Sequence, residues 1–159
     1  MPRFELTTVI EAPVERVFDL SLDIDVHTGS MAGSLERAVG GVTSGLIGLN
    51  QEVTWAARHF GIQWRMTSVI SAYDRPARFV DQMTKGPFGK WWHEHRFTAD
   101  GERTVMVDVI DYRSPLGPLG RLVDRLFLAR YMRRLIVNRN DFIKQRAEAE
   151  QDPAAPEQA

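Results

Sequence analysis

The sequence predicts a single α+β domain, in which an antiparallel sheet packs against one long C-terminal helix. Three observations lead there: a strand-like opening followed at once by a short helix, a central region where apolar and polar residues alternate, and a stretch over 121–148 without proline or glycine. Alternation is typical of strands, and apolar residues three or four apart are typical of a helix. A chain of 159 residues can bury one such core without disulfides.

The composition is that of an ordinary globular protein and disfavours several functions. Hydrophobic residues make up 43% of the chain, charged residues 26%, and the formal net charge is −1. This balance gives no general attraction to nucleic acid. No apolar run approaches the roughly 18 residues that a membrane helix needs, so we expect no stable membrane insertion. The absence of cysteine excludes disulfides, and no signal-peptide pattern opens the chain, so we expect a cytoplasmic protein.

The first elements follow from local residue preferences. Residues 3–11 are rich in β-branched and apolar side chains and predict a strand. Pro13 suits the first turn of a helix over 13–22, where its missing N–H is not needed. Residues 23–34 predict a broken helix or a loop, and residues 35–39 predict a short strand. The segment 23–27 either guards an entrance or is a solvated loop.

Five alternating runs then predict the rest of the sheet. They cover 51–60, 62–71, 79–84, 91–98 and 103–113, with hairpin turns at Gly61 and at Asp100-Gly101. If Glu94 and Arg96 face water, the inner face carries His93 and His95 together with Asp81 and Asp108. A shift of one residue in register would instead turn Val105, Val107 and Val109 inward.

The C-terminal helix is predicted to carry a wide apolar stripe that includes Leu126 and Phe127. Its arginines, which include Arg139, are interpreted as a solvated face and not as a site for RNA or an anionic membrane. Residues 149–159 are polar and contain prolines, so we expect a disordered tail after a domain over 1–148.

Several segments resemble the START-like superfamily, also called the SRPBCC or polyketide cyclase/dehydrase group. They are Ile10-Glu11-Ala12-Pro13 with Val17-Phe18, Gly86-Pro87-Phe88, Trp91 to Phe97, and Ser114-Pro115-Leu116-Gly117. The resemblance covers residues 3–148 and implies a helix-grip fold, with a cavity between the sheet and the long helix. Members include cyclases, lipid carriers and hormone receptors, so the resemblance implies a shape and no particular activity.

His93 and His95 share one face of a strand, and His59 lies on the matching face of an earlier strand. Three interpretations stay open. The histidines are polar wall residues hydrogen-bonded to Asp81 or Asp108, or they contact a ligand, or they bind a metal or act in acid–base catalysis. A second set is likewise either core or the wall of an apolar ligand site, namely Trp55, Trp64, Trp91 and Met66.

The leading hypothesis is the binding of a small apolar or amphipathic molecule, such as a lipid, polyketide or isoprenoid, in the cavity. The alternatives are a cofactor-independent cyclase or dehydratase with His93 or His95 as acid and base, and a protein-interaction module. The candidate catalytic residues are His93, His95 and Asp108. We expect no cofactor, no metal and no nucleic-acid partner. The candidate ligand-binding residues are Trp55, His59, Trp64, Met66, Asp81, Trp91, His93, His95, Asp108, Leu126 and Phe127.

Overall fold

The computed structural model describes residues 3–114 and 127–149, and these form a helix-grip fold. One seven-stranded antiparallel sheet, in the order β1-β7-β6-β5-β4-β3-β2, packs against the C-terminal helix. The predicted fold class is therefore confirmed. The elements are β1 (Arg3–Ile10), α1 (Val14–Leu22), α2 (Ile24–Ser30), a 3-10 turn (Ala32–Ser34), β2 (Arg37–Gly41), β3 (Glu52–His59), β4 (Ile62–Asp74), β5 (Arg78–Lys85), β6 (Lys90–Asp100), β7 (Arg103–Arg113) and α3 (Ala129–Ala149).

Two predicted segments fall partly outside the described residues. The start of the predicted C-terminal helix, including Leu126, lies there, and so does almost all of the predicted tail. Within the described residues, α3 continues to Ala149. No helix in residues 3–114 and 127–149 has the length and apolar character needed to cross a membrane.

The region between α1 and β2 is more regular than the sequence suggested. Asp23 ends α1, and its side chain accepts hydrogen bonds from the backbone N–H groups of Asp25 and Val26, at 2.8 and 3.2 Å. This cap starts a second helix, α2, whose Ile24 and Val26 are buried. The prediction of a broken helix over 23–34 is therefore confirmed, and the alternative of a solvated loop over 23–27 is wrong.

The strand after α2 begins two residues later than predicted. Leu35 has a φ of 52°, in the left-handed region, because it closes the 3-10 turn. A residue in that conformation cannot continue an extended strand, so β2 begins at Arg37.

The two predicted hairpins are confirmed by the register of the sheet. His59 pairs with Ile62 around Gly61, which has a φ of 75°, and Asp100 pairs with Arg103 around Gly101. Gly61 and Gly101 both have a positive φ, a conformation that glycine adopts without strain.

The predicted inner face of the sheet is also confirmed, and Asp108 lies on it. Its side chain has no exposed surface, and the neighbouring inward residue Met106 is equally buried. Glu94 departs from the prediction, because it lies on the outer face but is only 4% exposed. The guanidinium groups of Arg78 and Arg96 both donate hydrogen bonds to its carboxylate and cover it.

Candidate functional site

A cavity of about 340 Å³ lies between the inner face of the sheet and α3. This volume is within the range of small-molecule sites in proteins. Most of the predicted ligand-binding residues line it, namely Trp55, His59, Trp64, Met66, Asp81, Trp91, His93 and His95. The alternating pattern of β3 to β6 therefore located this wall correctly, because each of these side chains is on the inward face of its strand.

Two further predicted residues lie elsewhere. Asp108 is on the inner face but behind the histidines, so it does not line the cavity. The side chain of Phe127 is also absent from the lining. It is 54% exposed and stacks on Tyr131 with a ring-centroid distance of 6.2 Å.

The mouth of the cavity is marked by aromatic residues that both line it and reach solvent. Phe60 is 57% exposed and Trp64 is 37% exposed. Beside them, His59 Nδ1 lies 2.6 Å from the hydroxyl oxygen of Tyr131, which joins the end of β3 to α3. Burial lowers the pKa of His59, and the negative charge of Glu36 acts against this shift.

Deeper in the wall, four ionisable side chains from β5, β6 and β7 form one cluster. Asp81 pairs with His93 across β5 and β6, and His95 pairs with Asp108 across β6 and β7. Directly opposed residues on one face of an antiparallel pair are neighbours, so this register places each carboxylate next to an imidazole. The two imidazole rings lie 3.8 Å apart between centroids.

Asp81 is the carboxylate of the cluster that faces the cavity. Its Oδ1 accepts a hydrogen bond from Trp91 Nε1 at 3.2 Å. Its Oδ2 lies 3.1 Å from His95 Nε2 and 3.3 Å from His93 Nδ1. The indole therefore fixes one oxygen, and the other is directed at both histidines.

Asp108 contacts the opposite edges of the same two rings. Its Oδ1 lies 2.8 Å from His93 Nε2 and 2.9 Å from His95 Nδ1, although the second approach lacks hydrogen-bond geometry. Its Oδ2 accepts a hydrogen bond from Asn140 Nδ2 at 2.6 Å. The two histidines are thus held between a carboxylate at the cavity surface and one behind it.

Arg139 of α3 completes the cluster, and the sequence pattern did not identify it as a site residue. It is only 3% exposed, lines the cavity, and its Nη1 lies 3.6 Å from Asp108 Oδ1. It also donates hydrogen bonds to Asn140 Oδ1 and to the backbone oxygen of Ser21, both at 3.2 Å. Its assignment to a solvated face was wrong, whereas Arg130, Arg133 and Arg134 are exposed as predicted.

The helical spacing contained a signal for this residue. The buried positions of α3 are Ile136, Arg139, Asn140, Ile143 and Ala147, which are three or four residues apart except for the adjacent pair Arg139 and Asn140. Arg139 and Asn140 therefore sit within the apolar stripe itself, and a charged residue inside such a stripe indicates a buried partner.

The electrostatics of the cluster favour ionised carboxylates. Burial alone would raise the pKa of Asp81, but the histidines and Arg139 outweigh it and lower that pKa to about 2. Burial would raise the pKa of Asp108, but the hydrogen bond with His93 and the close contacts with both histidines outweigh it and hold that pKa well below its usual value. Burial, together with the adjacent His95, lowers the pKa of His93 against the opposing effect of both carboxylates.

One more polar atom in the wall is relevant to ligand binding. Ser68 is 3% exposed and lines the cavity, and its hydroxyl has no hydrogen-bond partner among the described residues. A buried hydroxyl without a partner is costly, so a ligand oxygen or N–H at this position would be favourable.

The metal interpretation that included His59 is not supported by the geometry. Among the described residues, the group of metal-ligating side chains that come close together consists of Asp81, His93 and His95. His59 instead pairs with Tyr131 at the mouth. The interpretation of His93 and His95 as hydrogen-bonded to Asp81 and Asp108 is confirmed.

Comparison with known proteins gives a family and a fold. Residues 1–148 match the profile of the family described as polyketide cyclase / dehydrase and lipid transport. No curated protein sequence matches the chain.

Three similar solved structures illustrate the fold. A protein of Thermus thermophilus is 20% identical, with a TM-score of 0.77 over 95% of this chain and 100% of that one. The Zhui aromatase/cyclase from Streptomyces sp. R1128 is 19% identical, with a TM-score of 0.73 over 98% of this chain and 99% of that one. A START superfamily protein from Mycobacterium smegmatis is 12% identical, with a TM-score of 0.69 over 92% and 97%. At these identities the likeness extends to the fold alone.

Proposed function

Because the chain belongs to the polyketide cyclase / dehydrase and lipid transport family, we propose that it binds a small, largely apolar molecule in the cavity beneath α3. The observation that carries the proposal is an apolar cavity with one concentrated polar group in its wall. The apolar walls supply affinity by burying hydrophobic surface. The polar cluster supplies orientation, as a few polar groups do in most small-molecule sites.

The wall residues favour a molecule with oxygen functions on one side. Asp81 and His95 present a carboxylate and an imidazole to the cavity, and Ser68 presents a hydroxyl that has no partner among the described residues. A polyketide, isoprenoid alcohol or other lipid has both the apolar body and the oxygen atoms that this wall would accept. A cytoplasmic location, as expected from the sequence, is part of the same proposal.

Tryptophan fluorescence tests the proposal directly, because Trp55, Trp64 and Trp91 all line the cavity. We would titrate the protein with emodin as an aromatic polyketide, farnesol as an isoprenoid and palmitate as a fatty acid. N-acetyltryptophanamide under the same additions corrects for absorption by the probe. We expect saturable quenching by at least one probe, and native mass spectrometry should find the same complex at one ligand per chain.

Flat titrations with all three probes, and no small molecule retained in the native mass spectrum, would argue against ligand binding. The protein-interaction alternative would then be preferred, since it does not need the cavity.

A second candidate is cofactor-independent cyclisation or dehydration, favoured by the Asp81–His95 hydrogen bond at the cavity wall. An imidazole oriented by a carboxylate is a common general base, and its loss typically lowers a rate by about 10²–10⁴-fold. The test is turnover of a linear polyketide substrate by the wild-type protein and by His95→Gln. If the wild-type protein gives no product above the uncatalysed reaction, the binding function alone stands.

A further inference from the structure

We infer that Asp81, His93 and His95 form a binding site for a divalent transition-metal ion, such as Zn²⁺ or Fe²⁺. Each residue offers one donor atom, and these atoms lie within 4.8 Å of one another. Asp81 Oδ2 is 3.3 Å from His93 Nδ1 and 3.1 Å from His95 Nε2. Two donors bound at about 2.0–2.1 Å to one ion lie about 2.9–3.4 Å apart in octahedral or tetrahedral geometry, so both carboxylate–imidazole distances already fit one ion.

Each proposed ligand is also held from behind. Trp91 Nε1 fixes Asp81 Oδ1, and Asp108 Oδ1 lies 2.8 Å from His93 Nε2 and 2.9 Å from His95 Nδ1. Metal-binding histidines usually donate their second N–H to a carboxylate, which sets the ring orientation and makes the ligand more basic. Here one buried carboxylate occupies that position for both rings.

The contacts of the ring nitrogens are compatible with a bound cation. Two neutral imidazoles have two N–H groups, but four ring nitrogens face carboxylate oxygens at 2.8–3.3 Å. If His93 donates to Asp108 and His95 donates to Asp81, both Nδ1 lone pairs face negative oxygens. His95 Nδ1 is indeed a buried atom without a hydrogen-bond partner among the described residues.

Protonation of the rings would remove this conflict, and so would a bound cation. With a cation present, His93 Nε2–H would donate to Asp108 Oδ1, and His95 Nδ1–H would face the same oxygen at 2.9 Å. The lone pairs of His93 Nδ1 and His95 Nε2, with Asp81 Oδ2, would then be available to the ion.

The placement of the site predicts open coordination positions. All three ligands line the cavity and Asp108 does not, so a bound ion has protein on one side and the cavity on the other. Three protein ligands with an open position are typical of catalytic metal sites. With neutral imidazoles, the two ionised carboxylates and Arg139 give the cluster a net charge of about −1. A bound divalent ion would change the sign of this net charge. An enolate, phenolate or hydroxide oxygen is therefore the chemistry that suits the open position.

From the sequence we expected no metal, because the third donor that the strand pattern suggested was His59. His59 is at the mouth of the cavity, and the third donor is a carboxylate on the adjacent strand, Asp81. Two histidines two residues apart have no diagnostic spacing until the strand pairing is known.

Metal titration of the chelator-stripped protein, without any organic ligand, tests the inference. We expect one equivalent of Zn²⁺ per chain by isothermal titration and elemental analysis, and a saturable visible absorption with Co²⁺. Asp81→Asn should weaken metal binding at least tenfold, and loss of the carboxylate behind the rings in Asp108→Asn should weaken it about 10–100-fold. His59→Gln removes an imidazole from the same cavity but not from the cluster, and should retain the wild-type metal affinity.

The inference is overturned if the wild-type protein shows no saturable binding of Zn²⁺ or Co²⁺, or if Asp81→Asn binds as well as the wild type. Circular dichroism checks that the variants fold. Should Asp81→Asn fail to fold, His95→Gln replaces it, and the wild-type stoichiometry remains decisive. Failure of metal binding would leave the emodin, farnesol and palmitate titrations unaffected, so the two proposals are distinguished.

Discussion

Asp108 lies directly behind His93, with its Oδ1 2.8 Å from His93 Nε2 and no exposed surface on its side chain. A residue that does not touch the cavity thus fixes a ring that does. Arg139 compensates the buried negative charge, and Asn140 and His93 are hydrogen-bonded to the carboxylate. The polar group in the cavity wall is therefore one connected network from three strands and α3.

We predict that Asp108→Asn destabilises the fold by about 3–5 kcal/mol, because it removes the carboxylate that is paired with the buried Arg139 and hydrogen-bonded to His93 and Asn140. Urea denaturation at pH 7 measures this change. Asp100→Asn removes a carboxylate that is 54% exposed and pairs with Arg103 on the surface, and should change the free energy of unfolding by less than about 0.5 kcal/mol. Equal effects of the two variants would contradict the account of the network.

Two arginines of α3 should respond differently to the same substitution. Arg139→Met removes a buried guanidinium with three partners, and we expect a loss of about 3 kcal/mol or more. Arg134→Met changes an exposed side chain, and we expect a change within about 0.5 kcal/mol. The midpoints of thermal unfolding report the difference, and a neutral Arg139→Met would show that this residue is dispensable for the core.

The sequence predicted those site residues whose orientation follows from the two-residue alternation of a strand. Period-two alternation in β3 to β6 is sufficient by itself to place Trp55, Trp64, His93 and His95 inward, because a strand has only two faces. The same rule predicted that Asp108 faces inward. It could not predict that Asp108 is buried behind the histidines, because that depends on how the strands pair.

The missed features are those that depend on contacts between distant segments. Arg139 is buried because Asp108, on another element, compensates its charge. Glu94 is buried because Arg78 reaches across from β5 to cover it. Both residue types are normally exposed, so the usual preference of a charged residue for water predicted the wrong environment.

The hydroxyl of Ser68 should have opposite effects on stability and on binding. Ser68→Ala removes a buried hydroxyl without a partner among the described residues, so the free energy of unfolding should stay the same or rise by up to about 1 kcal/mol. Affinity for an oxygen-bearing probe should fall about fivefold, the equivalent of about 1 kcal/mol. Ser71→Ala, at an exposed position on the opposite face of β4, is the control and should change neither quantity. An unchanged probe affinity for Ser68→Ala would exclude this contact.

The ion pairs of Glu94 predict a pH dependence of stability. Burial would raise the pKa of Glu94, but the hydrogen bonds from Arg78 and Arg96 outweigh it, and the pKa lies below its ordinary value of 4.5. A lowered pKa in the folded state means that these pairs stabilise the fold above pH 4.5, and that the effect is lost as the pH falls through the folded-state value.

Glu94→Gln should therefore be less stable than the wild type by about 1 kcal/mol at pH 7, a small effect because both guanidiniums are partly exposed. Denaturation at a series of pH values should show the difference shrinking below pH 4.5. A difference that is constant from about pH 7 to about pH 3 would mean that the ionisation of Glu94 is not its source.

The most direct measurement of the central claim compares probe binding by the wild-type protein with binding by a variant whose cavity is filled. Ala57 lines the cavity from β3 and is 7% exposed, so a phenyl ring at this position occupies the space that a ligand needs. We would titrate wild type, Ala57→Phe and the surface control Ala99→Phe with whichever of emodin, farnesol and palmitate binds the wild type most tightly. Binding in the cavity predicts at least a tenfold loss of affinity for Ala57→Phe and none for Ala99→Phe, with all three proteins folded. Equal affinities of Ala57→Phe and the wild type would contradict it.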